Sequence, residues 1–559
     1  MENNYSRKLE DFIDSTVMTK AQIIEVRLSS AKISGDAFVK FPSSILISSL
    51  EYDSRLVKEG SLYFALPGLH VDGHDFISDA VNRGALAVVH QKELSEYRNG
   101  IIYIMVKDSR FAMSSISDSF YNHPSRRMGI IGITGTEGKS TTVYLVYQLL
   151  KLLGKKTGFI STVQRSDGIN EFWNSEHQTT PEAPVIHRLL AEMYNNGVEY
   201  AVVESSSHGL SKRTNRLGDV DFDVGVMTNL THEHLDFHGT WEQYRSDKAE
   251  LFRALDSSAL SHKKHSPQGL ISIPSFGVVN ADDQSASYFA GATKRKCYSF
   301  STKGTEADLT IKLLESGAGG NWYEVLVSSS GTVLTVRDQL PGAFNVNNVL
   351  AALLVVSNLL SMKTEELVHL VSYLKPVRGR MSTLQKGQPF EVIIDYAHTP
   401  SSFEAVLPPL RERINSVKLE GGQGRIITLF GSPGERDTHK RKLQGEIAAR
   451  FSDIVILTDE DPRGEDPMSI LEEIAKGCFA AQGCLAASGS DHMIRDETLF
   501  LIPDRPQAIR KAFSLAREGD IVLLLGKGHE NSIIYADKTM DYDETSEAEK
   551  ALEEAGFTG

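Results

Sequence analysis

Apolar and polar positions fall along the chain in blocks that predict strands and helices in turn. Between residues 46 and 124 the apolar runs "SLYFAL", "ALAVVH" and "IIYIMV", interrupted by the helical stretch "DFISDAVNRG", predict a small α/β unit. The polar "YNHPSRR" at 121–127 predicts a linker, and "SSALSHKKHSPQG" at 257–269 an exposed loop. From 128 to about 375, strands within "KTGFIST", "EYAVVESS", "FDVGVMTNL" and "GVVNADD" alternate with helices, the pattern of a parallel sheet. "KPVRGRMS" opens a third unit, whose strands end in "DYAHTP", "GSPGERD", "TDEDPR" and "GKGHE". Ligands of open α/β sheets bind beyond the carboxyl ends of strands, so these four ends are candidate binding loops.

Length and charge narrow the class. A chain of 559 residues exceeds one core and suggests three or four units at about 150 residues each. A formal net charge of −14 argues against a nucleic-acid binder, though not against a local nucleotide site. The start, "MENNYSRKLEDF", lacks the apolar core of a signal peptide, and runs such as "VLAALLVV" are too short to span a bilayer. Cys297, Cys478 and Cys484 match neither a disulfide framework nor a zinc site, and a reducing cytoplasm is the expected location.

The chemistry begins at "GITGTEGKSTT", residues 132–142, between the apolar "MGII" and the helical "VYLVYQLLKLLG". Strand, glycine-rich turn and helix together make a phosphate cradle from backbone N–H groups and the positive helix end. Lys139 would place a charge near the β and γ phosphates, and Ser140 a hydroxyl for Mg²⁺. Ile133 stands where the strict nucleotide-loop pattern has glycine, so a plain connection is the alternative. Further along, Glu204 closes one strand, and His232, Glu233, His234, Asp236 and His238 follow another, with Lys248 on the next helix. Glu204 and Ser140 offer the oxygen ligands that Mg²⁺ prefers. Taken singly, each is as well explained as a solvated or capping residue, and Lys248 as a helix-surface lysine.

"TGTEGKST", "ESSSHGL", "TNLTHEHLDFHGTWEQYRSDK", "LPGAFNVNN", "DYAHTP" and "GKGHE" occur in one order, and together they resemble the Mur ligase family of peptidoglycan synthesis. "DSR" at 53–55, "DGHDFI" at 72–77 and "TDEDPRGEDP" at 458–467 are similar to the member that adds the third residue of the peptide. The resemblance runs from about residue 46 to 545, and Glu137 departs from the asparagine common in the family's loop. It implies an α/β chain of three domains: a UDP-sugar-recognising domain over 1–124, a P-loop-type parallel-sheet ATPase domain over 125–377 and a Rossmann-like amino-acid-binding domain over 378–559.

The implied reaction uses ATP to activate the γ-carboxylate of UDP-N-acetylmuramoyl-L-alanyl-D-glutamate as an acyl phosphate, which the amine of an amino acid attacks. By the resemblance, Lys139, Glu204, His234 and Lys248 are catalytic, with Lys248 a candidate for carbamylation, and Ser140, Glu204 and His234 hold Mg²⁺. ATP would lie against Thr134, Gly135, Thr136, Glu137, Gly138, Lys139, Ser140 and Thr141, with Asn345, Asn348, Arg380 and Asp395 at its adenosine side. Ser54, Thr179, Thr180, Ser206 and Arg216 would surround the UDP-sugar-dipeptide. Arg436, Glu460, Asp461, Pro462, Arg463, Gly526 and Glu530 would surround the amino acid. Arg436 and Arg463 could each grip a carboxylate, as meso-diaminopimelate requires. Asp461, where users of that amino acid commonly carry asparagine, should repel a second carboxylate by about 2 kcal/mol or more if desolvated. Lysine or ornithine is therefore the expected substrate.

A monomer is expected, acting on neither nucleic acid nor membrane. Two other readings are a folylpolyglutamate-type ligase, which lacks the N-terminal "DSR…DGHDFI" unit, and a non-catalytic nucleotide-binding regulator, which has no need of Lys139, Glu204, His234 and Lys248 together.

Overall fold

Gly129–Thr134 is buried at every position, as are Tyr200–Glu204 and Val224–Met227 on either side of it. Such continuous apolar runs belong to parallel strands covered on both faces, and all these pairings are parallel. The register sets Glu204 opposite Ile133 and Met227 opposite Thr134, so three strand ends open side by side. Thr157–Ile160 extends the sheet on one flank, and Phe276–Asn280 and Cys297–Ser301 on the other, all parallel. At the outer edge of Thr157–Ile160 the short hairpin strands Gln164–Ser166 and Glu171–Trp173 pair antiparallel.

This computed structural model describes residues 5–29, 31–32, 45–68, 71–174, 179–231, 235–257, 263–266, 269–317, 320–419, 421–488 and 498–559. Contacts divide the chain into two units. One comprises Met1–Leu313, Tyr323–Val336 and Val346–Ser372, the other Leu314–Trp322, Arg337–Asn345 and Tyr373–Gly559. The first unit also holds an N-terminal sheet in the order Ala31–Lys32, Ile23–Leu28, Ile102–Val106, Ala87–His90, Ser61–Phe64, Ser49–Glu51. Its last four strands are parallel. Among the described residues no single helix is long and apolar enough to cross a membrane.

The segment "YNHPSRR", expected as a linker, is ordered and packed: Pro124–Arg126 form a 3-10 turn with Pro124 and Ser125 buried, and His123 and Arg126 both bond Asp118. Its polar side chains find partners inside the fold, which composition cannot reveal. Within 257–269, Lys263–Ser266 pairs antiparallel with Gly269–Ser272, because a hairpin ladder satisfies the backbone whatever its side chains are.

In the second unit the sheet order is Ser382–Leu384, Glu391–Asp395, Ile521–Leu525, Ile426–Phe430, Ile454–Leu457, Leu499–Leu501, parallel after the first pair. Asp395 lies opposite Leu525 and Phe430 opposite Leu457, so the four polar loops share one edge. Beneath it Arg505, wholly buried, donates to both carboxylate oxygens of Glu544 (2.8 and 2.7 Å) and to the Asp459 and Leu525 carbonyls (3.1 and 2.8 Å). Removing one partner strands a buried charge, so Glu544→Ala is expected to lower unfolding free energy by about 3–5 kcal/mol. Denaturant titration checks this, and a loss below about 1 kcal/mol would show that Arg505 finds another anion.

Candidate functional site

The first cluster grows from the end of Gly129–Thr134. The helix Lys139–Leu152 begins after Gly138, whose φ of +79° is left-handed, and a Cβ there would stand 2.4 Å from Asn348 Oδ1. Neighbouring strand ends hold the loop. Asn229 accepts the Glu137 N–H (2.9 Å) and donates to its carbonyl (3.2 Å), and Thr228 donates to that same carbonyl (2.6 Å). Thr136 Oγ1 meets Tyr244 OH at 3.0 Å and accepts the Thr231 N–H at 2.9 Å. Lys139, first in the helix and half-buried, donates to the Thr136 carbonyl at 2.6 Å. Thr134 and Thr141 are buried, and Thr134 Oγ1 finds no partner among the described residues. Gly135 links the strand to this turn, and its carbonyl accepts Lys248 Nζ at 2.6 Å.

Lys248 is 2% exposed and lies over the Tyr244 ring at 4.7 Å, so it is not a surface lysine. Glu204 is also buried. Its two oxygens take hydroxyl bonds from Ser140 (3.0 Å), Thr162 (2.9 Å) and Ser161 (2.7 Å), and the Thr162 N–H (2.8 Å). This all-oxygen set suits a hard cation such as Mg²⁺. His234 lies outside the described residues, with His232 and Glu233 beside it.

The cradle continues into the residues expected around the acceptor. Thr180 donates to the Glu204 carbonyl (3.0 Å) and accepts the Ser206 N–H (3.1 Å). Ser206 caps the turn Ser207–Leu210 by accepting the Gly209 N–H. Arg216 donates to the Thr180 carbonyl (2.8 Å) and to Glu182 (2.9 Å). Thr179 is half-buried beside Thr180, and Ser54, buried in the N-terminal sheet region, opens a 3-10 turn capped by Asp53. Asn348 accepts the Thr142 hydroxyl (3.1 Å).

In the second unit, Asn345 donates to the Pro341 carbonyl (2.7 Å). Asp395 accepts the N–H groups of Met381 and Ala397 (2.7 Å each), and Arg380 lies over the Tyr396 ring at 4.7 Å. Arg436 is exposed on its loop, and Pro462 is buried.

The remaining candidates converge. Glu460 is buried with Oε2 unpartnered among the described residues. It packs on Gly526, whose φ is +99° and where a Cβ would lie 3.2 Å from that oxygen. Burial pushes its carboxyl up to about 7, against Lys440. Asp461 is already engaged: Oδ1 takes Lys527 Nζ (2.9 Å) and the Ile534 N–H (3.0 Å), and Arg463 stands 3.9 Å from Oδ2. Glu530 takes Lys527 Nζ (2.6 Å) and the Tyr396 hydroxyl (3.2 Å). The negative charge expected of Asp461 towards a second carboxylate is offset in part by Lys527.

Sequence reasoning passed over Lys527, Ser161, Thr162, Asn229, Tyr244 and Glu182. Lys527, three residues before Glu530 in a glycine-rich loop after a strand, carried the clearest signal.

Three family models match in sequence: "Mur ligase family, catalytic domain" over 46–121, "Mur ligase middle domain" over 133–356, and "Mur ligase, glutamate ligase domain" over 379–528. A UDP-N-acetylmuramyl-tripeptide synthetase of Treponema denticola is 49% identical, covering 91% of this chain and 94% of its own. A UDP-N-acetylmuramoyl-L-alanyl-D-glutamate--2,6-diaminopimelate ligase of Geobacillus thermodenitrificans is 37% identical, covering 91% and 95%. A solved structure of a ligase of this latter name superposes with a TM-score of 0.57 at 26% identity, covering 94% and 98%.

Proposed function

We infer, for a chain that belongs to the Mur ligase family and is an ATP-dependent, tripeptide-forming ligase within it, that the residue it adds is lysine or ornithine in preference to meso-diaminopimelate. The acceptor in this reading is UDP-N-acetylmuramoyl-L-alanyl-D-glutamate, and the enzyme works as a cytoplasmic monomer with domains over 1–124, 125–377 and 378–559.

Phosphoryl transfer crowds anions together, so fixed donors are its main need. The N–H groups of Gly138, Lys139 and Ser140 and the Lys139 ammonium would supply them, while the Thr136 and Glu137 N–H groups bond Asn229 and tie the loop in place. Ser140 and Glu204 would hold Mg²⁺, which would supply further neutralisation of the phosphates. His234 is proposed for a second ion.

The amino-acid preference is carried by Glu460, a buried carboxyl with an open oxygen beside Asp461 and Glu530. A substrate ammonium would satisfy it, whereas the second carboxylate of diaminopimelate would meet a like charge. Arg463, drawn towards Asp461, and the exposed Arg436 are the groups that favour the opposite choice.

The test is kcat/KM for L-lysine, L-ornithine and meso-diaminopimelate in wild type and Glu460→Gln. Wild type is expected to favour the basic amino acids, and Glu460→Gln to shrink that preference by about 10-fold, the loss of one charge-assisted hydrogen bond. Glu460 in the free protein is neutral below about 7 and ionised above it, so kcat/KM for a basic substrate should rise through that pH, an inflection Glu460→Gln removes. Preference for diaminopimelate, or an unchanged ratio in the variant, overturns the reading. Phosphate release that requires both acceptor and amino acid separates it from the regulator, and the UDP-sugar acceptor separates it from the folylpolyglutamate-type ligase.

A further inference from the structure

Lys527 is 1% exposed and ties together two loops that leave different strands. Its ammonium reaches Asp461, after Ile454–Leu457, at 2.9 Å and Glu530, after Ile521–Leu525, at 2.6 Å. Burial opposes its charge, but Glu530 and Asp461 hold it protonated above its ordinary range. The loop is built to turn this side chain inward, with Gly526 and Gly528 both at positive φ. Buried ion pairs seldom add net stability over apolar side chains of the same shape, so stability alone is a poor account of a buried cation between two acids. Its position has a chemical account: three carboxylates, the buried Glu460 and Asp461 and the half-buried Glu530, act on one another, and without a cation they would repel or take up protons.

We propose that Lys527 is a positioning residue that sets amino-acid selectivity: by holding Asp461 and Glu530 together and offsetting their charge, it leaves Glu460 open to a substrate ammonium. The proposal rests on the reading that these loops hold the incoming amino acid. Glu530 is fixed from two sides, by Lys527 and by the Tyr396 hydroxyl from a third strand end. Loss of Lys527 would free Glu530 to swing or protonate, and Asp461 to compete with Glu460 for the substrate cation.

The test measures KM for each substrate in Lys527→Met and Lys527→Arg, using the diamino acid that wild type prefers. Lys527→Met is expected to raise the amino-acid KM about 10-fold or more while kcat and the KM values for ATP and the UDP-sugar-dipeptide stay within about 3-fold; Lys527→Arg keeps the charge and should recover most of the loss. Should Lys527→Met fail to fold, Lys527→Met/Asp461→Leu replaces the ion pair by apolar side chains, which folds generally tolerate. Its amino-acid KM should exceed that of Asp461→Leu alone, because Glu530 keeps only the Tyr396 hydroxyl and loses its cation. An unchanged or lower amino-acid KM in Lys527→Met, a rise shared equally by all three substrates, or a double variant matching Asp461→Leu overturns the proposal. A wild type that prefers diaminopimelate overturns the lysine or ornithine reading while leaving this test intact.

Discussion

Replacing Lys139 with alanine is expected to lower kcat by about 100-fold or more, the usual loss when one fixed electrostatic stabiliser is removed. The cradle should survive, because Asn229, Thr228 and Thr136 hold the loop through contacts in which the Lys139 side chain takes no part. The ammonium donates to the Thr136 carbonyl at 2.6 Å and belongs to the first helical residue after the loop. Nucleotide affinity should fall less than turnover, since backbone N–H groups remain. Steady-state kinetics on the folded variant decide the matter: near-wild-type turnover would remove the nucleotide-loop role from Lys139.

Lys248→Ala is expected to lose activity on a similar scale, about 100-fold or more. The side chain is buried against the loop it serves, donating to Gly135 and lying over Tyr244. We propose that it takes a carbamate, which would turn a cation into an anion able to hold a metal ion. Alanine cannot be carbamylated, so bicarbonate should leave the variant inactive, whereas a short-chain carboxylic acid should restore part of the rate by standing in the vacated space. Full activity in the variant would reduce Lys248 to a support for the loop. Loss without rescue by any acid would assign it an anchoring role through Gly135 and count against the carbamate.

Some of this chemistry was legible from local order alone. The strand, glycine turn and helix around residues 132–142 were legible because they are neighbours in sequence, and their geometry follows from contacts a few residues apart. Glu204 was legible for the same reason, as the polar residue that closes an apolar strand. Lys248 was not: "QYRSDKAELF" is polar enough to pass for a solvated helix face, and only packing against Gly135 and Tyr244 buries it. Lys527 was hidden because one of its partners, Asp461, lies 66 residues upstream. The charge reasoning at Asp461 left Lys527 out, since a carboxylate's neighbours cannot be counted from the residues beside it in the chain.

By itself the sequence determined the alternation of strands and helices, the parallel class of the strands at the centre of the middle sheet and the loops where polar residues gather. These depend on side-chain period and on turn residues, which act over short distances. Tertiary structure alone decided which strand ends stand side by side. It placed Glu204 and Thr228 on either side of the glycine-rich loop after Gly129–Thr134, packed the segment 121–127 against Asp118, and set Lys527 between Asp461 and Glu530. Strand order and the partners of buried charges are settled by long-range packing and desolvation, where the free energy depends on everything brought near and not on the local run of residues.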